Sequence, residues 1–295
     1  MEINRKSVKN ILKEFELKLS GLYSGQEIRQ ITYMLFEEYL EWQRTDVQFM
    51  YDLEIPEPKL TLFTSALTGL KSGKPIQYIT GKTWFNGILL RVNPNVLIPR
   101  PETGELCEII GTTLGANLEQ DLSVIDIGTG SGCIAIDLKK RFPDAHVTGI
   151  DSSQGALDMA MKNADENNCK IEFLRCDILK SEDQLNLGMF RMVVSNPPYV
   201  TLAEKKLMKP HVTEYEPSQA LFVPDDAPFI FYHAICTFAC SHLIRHGNIF
   251  FEINERFGAE IALVVRSYGF SDVKILKDMH GKERFIRAVL NSNLL

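Results

Sequence analysis

The N-terminal part of the chain carries the apolar periodicity of α-helices. Apolar residues recur at spacings of three and four along residues 7–19, which predicts an amphipathic helix. Ser24 followed by Glu27 is a capping-box pattern and predicts the start of a second helix. A third helix is predicted at residues 60–70, after two interrupting prolines. Together these elements predict a helical bundle domain at residues 1–75.

A different pattern follows at residues 76–97. Asn86-Gly87 lies between two short apolar segments, and this dipeptide favours the type I′ turn of a β-hairpin. We expect the hairpin to connect two domains. Pro99 and Pro101 then bracket Arg100, which predicts an extended linker with a surface ion pair.

From residue 123, within a predicted domain at residues 98–295, apolar strands alternate with helices. This alternation predicts an α/β domain with a mainly parallel sheet covered by helices on both faces. The predicted strands are at 123–127, 147–150, 171–174, 192–194, 248–253, 273–276 and 285–290, and the predicted helices are at 133–141, 153–167, 229–243 and 259–268.

Composition narrows the functional classes. The chain has 295 residues, of which 45% are hydrophobic and 24% are charged, as in soluble globular proteins. Its net charge of -6 argues against broad binding to nucleic-acid phosphates, which needs clustered positive charge. We therefore expect no direct nucleic-acid partner.

The cysteines and the apolar segments indicate the compartment. Six cysteines are scattered without a C-x-x-C pair, and Cys236 and Cys240 are expected to be buried thiols rather than zinc ligands. No metal site is predicted. The first residues are charged, and no apolar stretch approaches the roughly 18 residues that a membrane span needs. These features predict a cytoplasmic protein without membrane association.

A glycine-rich turn joins the strand at 123–127 to the following helix. Glycines there allow backbone NH groups to approach a ligand closely. A dinucleotide site would use G-x-G-x-x-G, whereas Cys133 occupies the sixth position here, so the spacing suits a nucleoside without a pyrophosphate. Asp151, about twenty residues on, can accept hydrogen bonds from both ribose hydroxyls. Alternatively, the glycines only form a tight turn and Asp151 caps a helix. The turn residues are Gly128, Thr129, Gly130, Ser131 and Gly132.

An Asn-Pro-Pro-Tyr turn ends the strand at 192–194. Two prolines cannot donate to a sheet, so the strand stops there, at an edge where open α/β sheets bind ligands. The side-chain oxygen of Asn196 and the carbonyl oxygen of Pro197 are two acceptors that match the hydrogens of a planar NH2 group. Pro198 makes the turn rigid, and Tyr199 offers an aromatic face. Alternatively, the segment is a rigid turn with a purely structural role.

These two motifs together resemble class I S-adenosylmethionine-dependent amino-methyltransferases, which have a Rossmann-like sheet. More narrowly, the chain resembles the protein-(glutamine-N5) methyltransferases that modify peptide chain release factors. The segments that support the narrower resemblance are 77–81, 97–103 and 278–284. Gly104 departs from the family pattern, which usually carries a second acid there, and Ile178 stands where an aromatic residue is frequent.

The resemblance implies roles for individual residues. The glycine turn and Asp151 would bind S-adenosylmethionine, with Asp177 and Ile178 beside the adenine. Asn196 would touch both cofactor and substrate, and residues 196–199 would hold the amide, with Asn196, Pro197 and Tyr199 as the catalytic set. The resemblance also implies a substrate glutamine in a Gly-Gly-Gln loop of the release factor, docked partly by the helical domain.

Two other functions stay open at this point. The same NH2 geometry serves DNA or RNA adenine-N6 and cytosine-N4 methyltransferases, although the negative charge and the short 201–227 connection argue against them. A nucleoside-binding adaptor without catalysis is the third possibility, and the presence of Asp151, Asn196 and Tyr199 argues against it. Salt-sensitive DNA affinity would favour the second, and cofactor binding without turnover would favour the third.

Overall fold

The computed structural model describes residues 6–115, 121–184, 187–208 and 210–291. The chain divides into two compact units. The first comprises Met1–Gly81 with Pro210–Tyr215, and the second comprises Lys82–Lys209 with Glu216–Leu295. This division differs from the predicted segments 1–75, 76–97 and 98–295, because the hairpin belongs to the second unit and a distant segment joins the first.

Helices and strands follow one another in the order that the sequence pattern predicts, with some additions. The α-helices are α1 (Val8–Leu19), α2 (Gly25–Leu40), α3 (Arg44–Phe49), α4 (Glu57–Lys71), α5 (Ile76–Thr80), α6 (Pro101–Leu114), α7 (Cys133–Arg141), α8 (Gln154–Glu166), α9 (Pro210–Tyr215), α10 (Ile230–His242) and α11 (Gly258–Ser267). The strands are β1 (Lys6–Ser7), β2 (Glu54–Ile55), β3 (Lys82–Phe85), β4 (Ile88–Arg91), β5 (Ser123–Ile127), β6 (His146–Asp151), β7 (Glu172–Arg175), β8 (Phe190–Ser195), β9 (Val200–Thr201), β10 (Phe222–Val223), β11 (Leu243–Glu252), β12 (Phe270–Lys277) and β13 (Glu283–Leu290).

The first unit is a helical bundle with an aromatic core. The predicted capping box of α2 is confirmed, since Ser24 and Glu27 exchange hydrogen bonds through their side chains and backbone NH groups. Phe63 of α4 packs against Phe36 with ring centroids 4.8 Å apart and against Phe15 at 6.5 Å. All three rings are buried, so these contacts hold the α1, α2 and α4 helices together.

The third helix begins earlier than predicted. Pro58 was expected to interrupt the chain before residue 60, yet α4 starts at Glu57 with this proline in its first turn. A proline is tolerated there because the NH groups of the first turn have no partner within the helix.

The second unit is built on a mixed sheet. Within the described residues, seven strands pair in the order β12-β13-β11-β8-β5-β6-β7. Strands β5, β6, β7, β8 and β11 pair in parallel, and β13 is antiparallel to both of its neighbours. The predicted Rossmann-like α/β fold is confirmed. The chain leaves β5 toward β6 and β7 and later returns to the other side of β5 as β8, so the topological switch point lies between β5 and β8.

Alternate residues of the central strands face opposite layers of helices. Ile125 and Val193 belong to one buried cluster with α10 and α11, whereas Val124 and Val194 belong to another with α6 and α7. This period-two alternation explains why the strands read as continuous apolar runs in the sequence.

The β3–β4 hairpin packs into the second unit. Its Asn-Gly turn is confirmed, with φ of 47° at Asn86 and 77° at Gly87. Phe85, Ile88 and Leu90 are buried in the cluster that includes α6 and α7. The hairpin is therefore a covering element of the sheet domain, rather than the connector that the sequence predicted.

Two local predictions are wrong. Residues after Pro99 were predicted as an extended linker, but Pro101 begins helix α6, where its missing NH and fixed φ suit the first helical position. The thiol of Cys236 is buried as expected, whereas that of Cys240 is exposed, because the apolar segment turns one face of α10 outward. Within the described ranges, every helix is too short or too polar to cross a lipid bilayer.

Candidate active site

A cleft lies at the switch point between the carboxyl ends of β5 and β8. The two strands run in register, with Ile127 opposite Ser195, and the Ser195 hydroxyl donates a 2.6 Å hydrogen bond to the Ile127 carbonyl. The cleft holds about 1010 Å³ of space free of protein atoms, part of it open to solvent. Both motifs singled out in the sequence therefore meet at one edge of the sheet.

The glycine turn lines this cleft, but three of its backbone NH groups donate hydrogen bonds within the protein. Gly128 and Gly130 have φ of 75° and 54°, which glycine adopts without strain. The NH groups of Gly128 and Thr129 both donate to the Ile150 carbonyl at 2.9 Å. The NH of Gly130 donates to a carboxylate oxygen of Asp151, also at 2.9 Å. These three NH groups are therefore used within the protein, and Gly128 and Gly130 leave room at the cleft because they carry no side chain.

The last residue of the turn has a packing role. Gly132 precedes α7 with φ of 80°, and a Cβ atom there would lie 3.2 Å from the Cβ of Ala160. Gly132 is absent from the lining of the cleft, which includes Gly128, Thr129, Gly130 and Ser131. It allows α7 and α8 to approach each other, so the structure does not bring it to the site.

A buried carboxylate stabilises the glycine turn through a hydrogen bond. Asp126, the penultimate residue of β5, accepts a 2.6 Å hydrogen bond from the Thr129 hydroxyl and is fully buried. Burial raises the pKa of Asp126 to about 7.

Asp151 lies where β6 ends and lines the cleft. Its carboxylate accepts hydrogen bonds at 2.9 Å from the NH groups of Gly130 and Ser153. Burial raises its pKa, and these backbone NH groups oppose the rise. Each carboxylate oxygen can accept a further hydrogen bond, so Asp151 is suited to hold a pair of ribose hydroxyls.

The next strand end supplies two more lining residues. Asp177 follows β7, and its carboxylate accepts a 3.1 Å hydrogen bond from the NH of Leu179, which keeps it in a local turn. Ile178 is buried and packs with the α10 side of the sheet. Both line the cleft beside Phe231 and Ile235 of α10, which offer an apolar wall for a planar base.

The Asn-Pro-Pro-Tyr turn reaches the cleft with three of its four residues. Asn196, Pro197 and Pro198 line it, and Tyr199 does not. The Tyr199 ring packs against the core, and its hydroxyl donates a 2.9 Å hydrogen bond to Glu252. Burial and the Glu252 charge raise the pKa of Tyr199 well above its ordinary value, so it stays a neutral phenol. Tyr199 thus anchors the turn.

Thr103 and Glu252 complete the support of this turn. Both are buried, and the Thr103 hydroxyl donates a 2.6 Å hydrogen bond to the Glu252 carboxylate. Asn196 Nδ2 donates to the Thr103 hydroxyl oxygen at 3.0 Å. Burial raises the pKa of Glu252, and the Thr103 and Tyr199 hydroxyls together with the Arg284 charge oppose the rise.

A second buried acid ties two cleft-lining segments together. Glu216 accepts a 2.5 Å hydrogen bond from the Arg100 guanidinium and a 3.2 Å hydrogen bond from the NH of Ile98. The predicted surface ion pair of Arg100 is therefore wrong, since its partner is a buried carboxylate 116 residues away in the sequence. This pair holds residues 97–100 beside the segment that carries Gln219 and Ala220.

Sequence reasoning missed these supporting residues as a group. The clearest available signal was Glu252, an acid at the end of the apolar run 249–253, because a buried charge needs a partner. Glu216 carries no comparable signal, as it lies among polar residues. Thr103 lies in the segment 97–103, which supports the family resemblance, but no neighbouring residue indicates which group the Thr103 side chain contacts.

The departure at Gly104 has a structural explanation. A Cβ atom at this position would lie 2.4 Å from Oδ1 of Asn86 in the hairpin turn. The Asn86 amide is fixed there, because its Nδ2 donates to the Gly104 carbonyl at 3.2 Å and to Asp137 at 3.1 Å. The hairpin occupies the space that a second acid would need.

The segment 278–284 forms the β12–β13 turn. The Asp278 carboxylate accepts hydrogen bonds at 2.9 Å from the NH groups of His280 and Lys282, and it pairs with Arg284 at 3.3 Å. The NH of Met279 donates to Glu105 of α6 at 2.9 Å. This segment supports the fold near α6.

The cleft fits a nucleoside better than a dinucleotide. A Cβ at Gly128 would meet no atom within 4 Å, so the surface over the turn is open. The NH groups of Gly128, Thr129, Gly130 and Gly132 are bonded within the protein, so these four NH groups form no cradle for a pyrophosphate. Asp151 and the apolar wall from α10 offer contacts for ribose and base.

Among the residues that the structure describes, no cluster of three or more His, Cys, Asp or Glu side chains is arranged to hold a metal ion.

Two parts of the chain match known protein families. Residues 10–81 match the family described as PrmC N-terminal domain, and residues 108–213 match the family described as Methyltransferase small domain. The chain is 42% identical to a release factor glutamine methyltransferase of Flavobacterium psychrophilum, across 95% of this chain and 98% of that protein. It is 37% identical to a protein of the same description from Bacteroides thetaiotaomicron, across 92% and 95% of the two chains.

Solved structures with the same fold are more distant in sequence. The catalytic domain of hMettl16 in complex with an RNA hairpin has a TM-score of 0.53 and 16% identity, over 80% of this chain and 82% of that one. The 16S rRNA N2 G1207 methyltransferase of T. thermophilus, in complex with AdoMet and guanosine, has a TM-score of 0.51 and 18% identity, over 71% and 50%. At this level of identity the likeness establishes the fold.

Proposed function

The chain belongs to the release factor glutamine methyltransferase family, and from that premise we propose that it methylates the N5 side-chain nitrogen of a release factor glutamine. The glutamine is the one in the Gly-Gly-Gln loop of peptide chain release factors. The observation that carries this proposal is the Asn-Pro-Pro-Tyr turn, which presents an amide and a proline carbonyl beside the nucleoside cleft.

S-adenosylmethionine is the methyl donor and supplies an electrophilic methyl group on a positively charged sulfur. Asp151 would accept hydrogen bonds from the ribose hydroxyls, and Asp177 and Ile178 would lie beside the adenine. Gly128, Thr129, Gly130 and Ser131 leave room for the remainder of the donor, because their backbone has no bulky side chain at the cleft. Gly132 supports this binding indirectly, through the packing of α7 on α8.

Asn196 and Pro197 hold the substrate amide. The Oδ1 atom of Asn196 and the carbonyl oxygen of Pro197 accept the two hydrogens of the glutamine NH2 group. An amide nitrogen is a weak nucleophile because its lone pair is delocalised into the carbonyl group. Two fixed acceptors orient the nitrogen toward the methyl group and stabilise the positive charge that develops on it. No strong base is needed before attack, because the nitrogen keeps both hydrogens until the methyl group is transferred. The electron pair of the broken methyl–sulfur bond would stay on sulfur, and one N–H proton would then leave to water.

Pro198 and Tyr199 keep these acceptors in place. Pro198 restricts the backbone of the turn, and Tyr199 anchors it through its hydrogen bond to Glu252. The hydrogen bond from Tyr199 to Glu252 and the absence of Tyr199 from the cleft lining favour a positioning role over direct contact with the glutamine. Asn254 donates to Glu204 at 3.2 Å, and Glu204 accepts from Thr201, which secures the chain after the turn.

The helical unit, Met1–Gly81 with Pro210–Tyr215, docks the release factor. A protein substrate needs a larger contact surface than a small molecule does, and a dedicated helical unit can provide it. The absence of strong positive charge fits a protein substrate better than a nucleic acid. The cytoplasm is the compartment that a release factor substrate implies.

The test is a transfer assay with S-adenosylmethionine labelled in its methyl group. Three acceptors are offered: purified release factor, the same factor with its loop glutamine changed to alanine, and duplex DNA. We expect label on the unmodified factor and none on the other two acceptors. Label on DNA would contradict the substrate assignment, and label on the glutamine-to-alanine factor would contradict the assigned residue.

A further inference from the structure

Asn196 is the end of a buried chain of hydrogen bonds. Its Nδ2 lies 3.0 Å from the Thr103 hydroxyl oxygen, which lies 2.6 Å from Oε2 of Glu252. The second carboxylate oxygen of Glu252 accepts from the Tyr199 hydroxyl at 2.9 Å. The side chains of Thr103 and Glu252 are 2% and 1% exposed, which limits competition from solvent.

The direction of the protons along this chain follows from the chemistry of its members. The Arg284 charge and the two hydroxyl donors favour the ionised form of Glu252. An ionised carboxylate only accepts hydrogen bonds, so Thr103 donates its one hydroxyl proton to Glu252. The Thr103 oxygen then has only lone pairs left and must accept from its other neighbour. Asn196 can supply a donor there only through its NH2 group, so its Oδ1 atom faces the opposite way.

We propose that Glu252 and Thr103 are positioning residues that select the amide orientation of Asn196 required for methyl transfer to the glutamine NH2. This inference rests on the proposed function. If the Asn196 amide were rotated by 180°, its NH2 group instead of its oxygen would face the substrate NH2. The substrate amide would then lose one of its two hydrogen-bond acceptors. The selection is made before the substrate arrives, because the network is complete within the protein.

The elements of the second unit explain why the network is rigid. Thr103 lies in the first turn of α6, three residues after Arg100, which pairs with Glu216. Glu252 ends β11 in the middle of the sheet, and the Tyr232 hydroxyl donates to its backbone carbonyl at 3.1 Å. Thr103 of α6, Glu252 of β11 and Asn196 of the Asn-Pro-Pro-Tyr turn therefore belong to three separate segments, each held in place by its own contacts.

Two pairs of variants test the proposal. Thr103→Val removes the hydroxyl at nearly constant volume, and Thr103→Ser restores it. Glu252→Gln gives the carboxylate position an NH2 group that can donate to Thr103, which allows the network to reverse. The exposed Glu260→Gln on α11 is the matched control for the charge change.

Each variant is measured for kcat at saturating substrates and for cofactor affinity by calorimetry. We expect Thr103→Val and Glu252→Gln to lower kcat by about 10- to 100-fold, on the scale of losing one preorganised polar contact. Cofactor Kd should stay within about twofold, Thr103→Ser should recover most of the kcat, and Glu260→Gln should match the unmodified enzyme. Unchanged kcat in Thr103→Val, or a parallel loss of cofactor affinity, would overturn the proposal. Failure of Thr103→Ser to recover kcat would do so as well.

A spectroscopic readout separates this proposal from the proposed function. The Asn196 NH2 signals in the NMR spectrum are assigned by their loss in Asn196→Ala. One of the two protons should be displaced downfield by its hydrogen bond to Thr103, and Thr103→Val should remove that displacement while Thr103→Ser keeps it. No displacement in the unmodified protein would overturn the network whatever the activity. Absence of transfer to release factor by the unmodified enzyme would contradict the proposed function alone. If Thr103→Val does not fold, Glu252→Gln and Thr103→Ser carry the same comparison.

Discussion

Two side chains at the switch point have different proposed roles: Asn196 in methyl transfer and Asp151 in cofactor binding. Asn196 lines the cleft and is oriented by Thr103, whereas Asp151 lines the cleft and is held by backbone NH groups. Their different surroundings give different expectations for substitution.

Asn196→Ala should reduce turnover much more than cofactor affinity. The substitution removes one of the two acceptors for the substrate NH2 and leaves the ribose contacts unchanged. We expect kcat to fall by about 100-fold or more, on the scale of removing a preorganised polar group, with cofactor Kd changed by less than about threefold. Steady-state kinetics and calorimetry measure the two quantities. The exposed amide variant Gln154→Ala is the control. Equal losses in both quantities would indicate that Asn196 acts on the structure of the turn.

Asp151→Ala should mainly weaken cofactor binding. It removes the acceptor for the ribose hydroxyls and also releases the NH groups of Gly130 and Ser153. We expect cofactor Kd to rise by about 10- to 100-fold, because hydrogen bonds to a charged acceptor contribute about 1.5–3 kcal/mol. Calorimetric titration with S-adenosylmethionine tests this, with the exposed Asp158→Ala on α8 as the control. Unchanged affinity would show that the ribose assignment is wrong.

At the scale of elements, the structure depends on how the β3–β4 hairpin meets α6 and α7. The Asn86 side chain bridges the Gly104 carbonyl of α6 and the Asp137 carboxylate of α7. The turn type was predictable from Asn-Gly, since few residue pairs adopt positive φ at both turn positions. Its packing partner was not predictable, because Gly104 and Asp137 are 18 and 51 residues distant.

Gly104→Ala should therefore destabilise the second unit. The added Cβ would lie 2.4 Å from Asn86 Oδ1 and would force that side chain away from its two hydrogen-bond partners. We expect a loss of about 1–3 kcal/mol in the free energy of unfolding, the usual range for disturbing buried hydrogen bonds. Urea denaturation measures it.

Gly188→Ala is the matched control for this prediction, because a Cβ at Gly188 would meet no atom within 4 Å. It should change stability by no more than about 0.5 kcal/mol, as expected for an unhindered surface position. If both variants unfold at the same urea concentration as the unmodified protein, the hairpin contact is too weak to matter.

At the scale of the whole molecule, charge distinguishes the proposed substrate from its competitor. With a net charge of -6, the chain should show only weak and unspecific affinity for duplex DNA at about 0.15 M salt, where unspecific binding of dedicated DNA-binding proteins has Kd of roughly 10⁻⁴–10⁻⁶ M. Fluorescence anisotropy with a labelled duplex at low and physiological salt tests this. Tight binding that falls steeply with salt would reveal a local basic surface and would contradict a purely protein substrate.

Much of the second unit was predictable because its signals are local. Strand β5 and helix α7 have the predicted bounds, and the other sheet elements differ from the prediction by a few residues at their ends. Fully buried parallel strands leave continuous apolar runs, and each run is interrupted where polar turn residues begin. The failure at Pro101 has an equally local cause, since a proline can either end an extended segment or start a helix.

The sequence by itself determined the alternation of strands and helices, the two turns and most of the predicted residues that line the cleft at the switch point. It did so because backbone propensity and burial are read over a few neighbouring residues, and because parallel strands bring their carboxyl ends to one edge. Only the tertiary structure decided that the glycine turn uses its NH groups internally, that Tyr199 turns toward Glu252, and that Arg100 pairs with Glu216. Thr103 and Glu252 are 149 residues apart, and their contact depends on how helix α6 packs against the sheet. A hydrogen bond of this kind has no local sequence pattern, because its geometry is set by packing rather than by neighbouring residues.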